Sequence, residues 1–153
     1  MLRGVATYLD RQSRDKVIVK YLHNQPICPQ ADLYARMEAS GSFQVFGIYD
    51  IPRFQVFDEE RLCGFATVLV YVVPHYGRRI ATVESLFLRA GSRNRPNGNA
   101  LMDAVEGYAK EHGCEAILYS ARTGSRFERL LSLLKPYERT NSVFLRCLRP
   151  RPG

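Results

Sequence analysis

Residues 80–112 read IATVESLFLRAGSRNRPNGNALMDAVEGYAKEH, and the hydrophobic period changes partway through this run. Ile80 to Leu88 is dense in β-branched and apolar residues, which predicts a strand. From Asn97 to His112 the positions Ala100, Leu101, Ala104, Val105, Tyr108 and Ala109 share one helical stripe, and Gly113 supplies a stop. Between them runs a basic Gly/Asn-rich connection, Arg89 to Ala100. A helix start offers unpaired N–H groups and the positive end of the helix dipole, Gly98 lets an anion approach the backbone, and Arg93 and Arg95 add charge. The corner therefore reads as a phosphate cradle with diphosphate as its matching guest, or as an ordinary connection into a helix. It is neither a Walker loop, lacking the Gly-Lys-Ser/Thr end, nor a dinucleotide fingerprint, lacking G-x-G-x-x-G.

Working outward, Phe54–Phe57 and Leu62–Val73 join Ile80–Leu88 as sequential antiparallel strands, separated by Asp58-Glu59-Glu60 and Pro74-His75-Tyr76-Gly77. Upstream, Lys16 to Leu22 reads as a strand and Gln30 to Ala39, after Pro29, as a helix. Residues 1–12 set only Val5, Tyr8 and Leu9 at helical spacing. Downstream, Ala116–Ser120 reads as a short buried strand, Ser125–Leu134 as a helix with Phe127, Leu130, Leu131 and Leu134 inward, and Ser142–Leu148 as a closing strand. The expected class is α/β (α+β), a mixed, mostly antiparallel sheet flanked by helices.

The chain has 153 residues, 46% hydrophobic and 24% charged, enough for a single domain. Residues 2–148 read as one unit, with a linker-like Pro-Arg-Pro-Gly ending. The longest apolar stretch, Phe65–Val73, has roughly half the ~20 residues a membrane span needs, and no basic-then-apolar leader opens the sequence, so a cytoplasmic, membrane-free protein is expected. Cys28, Cys63, Cys114 and Cys147 form no C-x-x-C pair and the three histidines lack zinc spacing, which predicts reduced thiols and no structural metal. Basic and acidic residues number seven and eight over residues 1–60, seven and five over 61–119, and eight and two over 120–153. This positive end suits a phosphorylated small molecule, a solvated helix face, or nucleic acid. The last is the weaker reading, since no exposed aromatics interleave with the arginines.

Arg95-x-x-Gly98-x-Ala100, following an antiparallel strand pair and opening an amphipathic helix, resembles the R/Q-x-x-G-x-G/A acetyl-CoA loop of the GNAT N-acetyltransferases. The resemblance runs from about Gln55 to Leu148, including Arg126 to Leu148 as the family's C-terminal segment. It implies an acceptor-side part over residues 1–50, a coenzyme-binding core over 51–148 and a basic tail over 149–153. It further implies that the amides of Arg95, Asn97, Gly98, Asn99 and Ala100 hold the coenzyme diphosphate, with Pro96 deleting one N–H. Leu86, Phe87, Leu88, Arg89 and Ala90 would lie along the pantetheine arm, pairing as a strand edge does. Arg122 and Arg126 would reach the 3′-phosphate or adenine end.

Glu84 interrupts an apolar strand eleven positions before Arg95, where many members carry a glutamate general base. An amine acceptor arrives as ammonium and must lose a proton before attacking a thioester. The same residue could instead point to solvent or pair with Arg78 or Arg79. Where the family often places a tyrosine acid, this chain has Phe127-Glu128-Arg129, so Tyr119 and Tyr137 are the candidate acids, each otherwise a core or rim aromatic. His75, at a strand turn placed near the acceptor by the resemblance, could relay a proton or be an exposed turn residue. Ser120 and Ser125 lack a His-Asp partnership. The implied activity is direct acetyl transfer from acetyl-CoA to a primary amine of a small molecule or protein. The competing readings are a catalytically silent GNAT-like binding or assembly module, in a viral or host-interaction setting, and a nucleic-acid-binding domain. Association with a second copy of the chain stays open.

Overall fold

The computed structural model describes residues 30–50, 61–134 and 137–140. The expected strands Lys16–Leu22, Phe54–Phe57 and Ser142–Leu148, residues 1–12, the acidic turn and the basic tail lie outside the described residues. Helix α1 (Ala31–Ala39) is followed by strands β1 (Phe43–Asp50), β2 (Arg61–Val73) and β3 (Arg78–Leu88). A single 3₁₀ turn at Ala90–Ser92 leads into helix α2 (Arg95–Glu111), strand β4 (Ala116–Tyr119) and helix α3 (Arg126–Leu133). Among the described residues the result is a mixed sheet of four strands flanked by three helices, in the order β1-β2-β3-β4. The first two pairings are antiparallel and β3 runs parallel to β4, as a strand–helix–strand crossover through α2 requires.

β1 is not foreseen in the sequence. Its residues FQVFGIYD carry apolar groups at both parities and a central glycine, so they lack the alternation that marks a half-buried strand. α2 stops as expected: Gly113 adopts φ 69, and the amides of Gly113 and Cys114 return to the carbonyls of Lys110 and Ala109 at 3.0 and 2.9 Å. A side chain at that backbone conformation would be strained. Gly64 is required for a different reason, because a Cβ there would meet the Phe87 carbonyl oxygen at 2.6 Å where β2 crosses β3.

The core forms where α2 lays Leu101, Val105 and Ala109 on Ala66, Val68 and Val70 of β2 and Ala81 and Val83 of β3, and Met102 of the same helix is also buried. Ala100, expected on this stripe, is exposed, whereas the neighbouring Leu101 and Met102 are buried. β4 is not the buried strand expected: Ala116 and Leu118 are exposed and Ile117 and Tyr119 half-buried, since only the face toward α2 is packed. α3 buries none of its residues, and Leu130, expected inward, is 43% exposed. This two-turn helix meets the strands through its first turn, where Phe127 stands edge-on to Tyr119 at 6.1 Å. No helix among the described residues is long and apolar enough to cross a membrane.

Candidate active site

Two irregularities in β3 shape the site. Its rungs with β2 pass from Val68↔Val83 to Thr67↔Ser85, so Glu84 is an extra, bulged residue. Its parallel rungs with β4 cover only Ile80–Val83 against Ala116–Tyr119. The ladder ends at Val83↔Tyr119, where β4 itself ends, and β3 continues from Glu84 to Leu88. Leu86 and Leu88 pack toward α2, whereas Phe87 is buried on the opposite face at 5.8 Å from the Phe65 ring. Because β3 and β4 are parallel, the far end of β3, the start of α2 and the segment carrying Arg122 and Arg126 share one end of the sheet.

At that end the expected Arg95–Ala100 loop is already helix. Asn94 caps it, its Oδ1 accepting from the Asn97 amide at 2.9 Å, and Pro96 sits in the first turn, where its missing N–H and fixed φ suit the helix. The Gly98 amide donates to the Asn94 carbonyl at 3.2 Å, and Asn97 Nδ2 ties back to the Ser92 carbonyl at 3.0 Å. The Arg95 amide has no backbone partner among the described residues, and the Asn97 amide is held by a side chain able to rotate away. Arg93 is exposed, its Nε donating to the Leu88 carbonyl at 3.0 Å, and the Arg89 amide donates to the Cys63 carbonyl at 2.8 Å. Ala90, Arg95, Asn99, Ala100, Arg122 and Arg126 are exposed.

The bulge sets the direction of Glu84. Val83 faces α2, whereas Glu84 and Ser85 both lie on the face of Thr67, as a bulge allows. The carboxylate is exposed, as the alternative of a solvent-facing Glu84 has it. Its Oε1 accepts from the Tyr34 hydroxyl of α1 at 3.2 Å, and its Oε2 meets the buried Thr67 hydroxyl at a longer 3.5 Å. The arginines weighed as partners are engaged elsewhere, Arg78 with Glu115 at 2.9 Å and Arg79 with the His112 carbonyl at 3.1 Å.

Tyr119 occupies the last rung of the parallel ladder, opposite Val83. Its hydroxyl and that of Tyr137 both donate to Oε1 of Glu106 on α2, with the two rings edge-on at 5.6 Å. Burial, then the Glu106 carboxylate, pushes the Tyr137 hydroxyl up to about 12 and the Tyr119 hydroxyl well above its ordinary value. Both phenols hold their protons tightly. Ser125 is an N-cap, its Oγ accepting from the Glu128 amide at 3.0 Å, while Glu128 accepts from Gly124 and pairs with Arg139. His75 is exposed at the hairpin turn, stacked edge-on with Tyr76. Six strand steps, on the order of 20 Å, separate Arg78 at that turn from Glu84, so the structure does not bring His75 to the far end of β3.

Tyr34, Thr67, Asn94 and Glu106 were missed in the sequence. Asn94 had a signal, an Asn ahead of a proline-opened helix. The others join residues thirteen to fifty positions apart and have none.

A family model described as acetyltransferase (GNAT) family matches residues 20–129. No curated protein sequence matches the chain. Among solved structures, one similar to this chain is an aminoglycoside acetyltransferase from an uncultured soil metagenomic sample, with TM-score 0.61, 14% identity, and 95% of this chain and 90% of that one covered. A ribosomal-protein-alanine N-acetyltransferase from Brucella melitensis biovar Abortus 2308 matches with TM-score 0.54, 15% identity and coverage of 89% and 94%. An acetyltransferase from Trypanosoma brucei matches with TM-score 0.53, 16% identity and coverage of 91% and 94%. At these identities the likeness is one of fold.

Proposed function

The chain belongs to the acetyltransferase (GNAT) family, and from that premise we propose that it moves the acetyl group of acetyl-CoA directly to a primary amine. The observation that carries this reading is the continuation of β3 beyond its last rung with β4, at Val83↔Tyr119, toward the capped start of α2. The pantetheine arm runs along Leu86, Phe87, Leu88, Arg89 and Ala90, as an extended peptide lies along a strand. The diphosphate rests at the start of α2, on the amides of Arg95 and, once the Asn94 cap swings away, Asn97. Gly98, Asn99 and Ala100 line its approach. Arg93 and Arg95 add charge, and Arg122 and Arg126 face the 3′-phosphate.

Glu84 takes a proton from the incoming amine. The nitrogen then bonds to the thioester carbon, the C–S bond breaks, and the departing thiolate is protonated. Tyr119 and Tyr137 supply that proton only by leaving Glu106, and solvent is the simpler source.

The test is acetyl-CoA binding by calorimetry, with thiol release measured on amines. Gly98→Asp places a like charge on the diphosphate site and is expected to weaken binding at least a hundredfold; unchanged affinity would remove the corner from the mechanism. A second reading, a coenzyme-binding module without turnover, is favoured by the commitment of both tyrosines to Glu106. Tight acetyl-CoA binding with no thiol release across a broad amine panel would select it.

A further inference from the structure

We infer that Tyr34 is a positioning residue that sets the direction of the Glu84 carboxylate; the inference rests on the reading of Glu84 as the base. An exposed glutamate on a bulge has free rotamers, and a general base is effective only when one lone pair meets the proton it takes. The Tyr34 hydroxyl, fifty residues away in sequence, donates to Glu84 Oε1 at 3.2 Å, and Thr67 stands 3.5 Å from Oε2. Each carboxylate oxygen thus has one hydroxyl against it and keeps capacity for an amine.

Tyr34 is itself held firmly. Its ring lies 4.9 Å from that of Phe43, which is 3% exposed at the start of β1. The end of α1 is pinned to the core, the Tyr108 hydroxyl donating to the Gly41 carbonyl at 2.8 Å and the Val70 amide to the Ser42 carbonyl at 2.9 Å. A short helix on the Thr67 face of the sheet therefore delivers one hydroxyl to the base, through contacts that are independent of the coenzyme corner.

Tyr34→Phe keeps the ring and its contact with Phe43 and removes only the hydroxyl. Thiol release from acetyl-CoA is followed with spermidine, an aminoglycoside and an alanine-initiated peptide as amine probes. The expected result is a kcat about tenfold lower, the size of one hydrogen bond to a charged group. KM for acetyl-CoA and melting temperature should be unchanged, with no further loss when Tyr34→Phe is added to Glu84→Gln. A wild-type kcat in Tyr34→Phe, beside a slowed Glu84→Gln, overturns the inference and leaves the base in place. Equal losses from Tyr34→Phe on both backgrounds also overturn it, because the ring then acts independently of Glu84. A wild-type rate in Glu84→Gln, or no thiol release by the wild-type chain with any probe, overturns the base reading and the inference with it. An activity-free arm places 3-fluorotyrosine at position 34 alone: its ¹⁹F resonance should move on Glu84→Gln, and an unmoved resonance denies the contact itself.

Discussion

Glu106 holds two phenols on one carboxylate oxygen, and this small cluster makes the alkaline stability of the molecule predictable. The Tyr137 hydroxyl is pushed from 10.0 to about 12 by burial and then by Glu106. A group that titrates higher when folded contributes stability that is complete below its unfolded value and is lost as pH rises through the folded one. The denaturation midpoint should therefore hold to about pH 10 and fall between pH 10 and 12. Replacing Glu106 by Gln removes the charge and leaves only a neutral amide acceptor, so that fall should shrink; denaturant titration across the interval checks both. None of this was legible beforehand. Tyr119 and Tyr137 stood out in the sequence as hydroxyls in search of a role, but their common partner lies thirteen and thirty-one residues away on another element.

The elements themselves were more legible, because period and punctuation act locally. Ile80–Leu88, Leu62–Val73 and the Asn97–His112 stripe emerged with ends within two residues, and Gly113 and the Pro74–Gly77 turn fell where expected. Failures came where tertiary context decides: β1 without alternation, the wrong flank of α2 at Ala100, and a late helix that covers less than its leucines suggested. The start of α2 yields a prediction at this scale. Asn94→Ala deletes the cap on the Asn97 amide and should cost about 1 kcal/mol, a melting-temperature drop of about 2–4 °C for a chain of this size. The same change frees that amide for a diphosphate, so acetyl-CoA affinity should not fall. Calorimetry alongside thermal melts separates the two effects, and a joint loss would mean that the cap itself orders the corner.

At the scale of the whole molecule, the sheet and α2 form one core on a single face of β2 and β3, and the parallel ladder beside it ends at Tyr119. The family loop was readable because its residues sit within one turn of chain. The end of the β3–β4 ladder was not, because pairing between strands thirty-six residues apart leaves no local mark. That ending has a consequence for solution behaviour. An extended segment that serves as a docking strand can take in a stray strand as readily as a proper guest, so an occupant lying along it would also act as a guard against self-association. The chain saturated with acetyl-CoA should scatter less light than the same chain without it, and equal scattering would mean that the strand edge is already shielded.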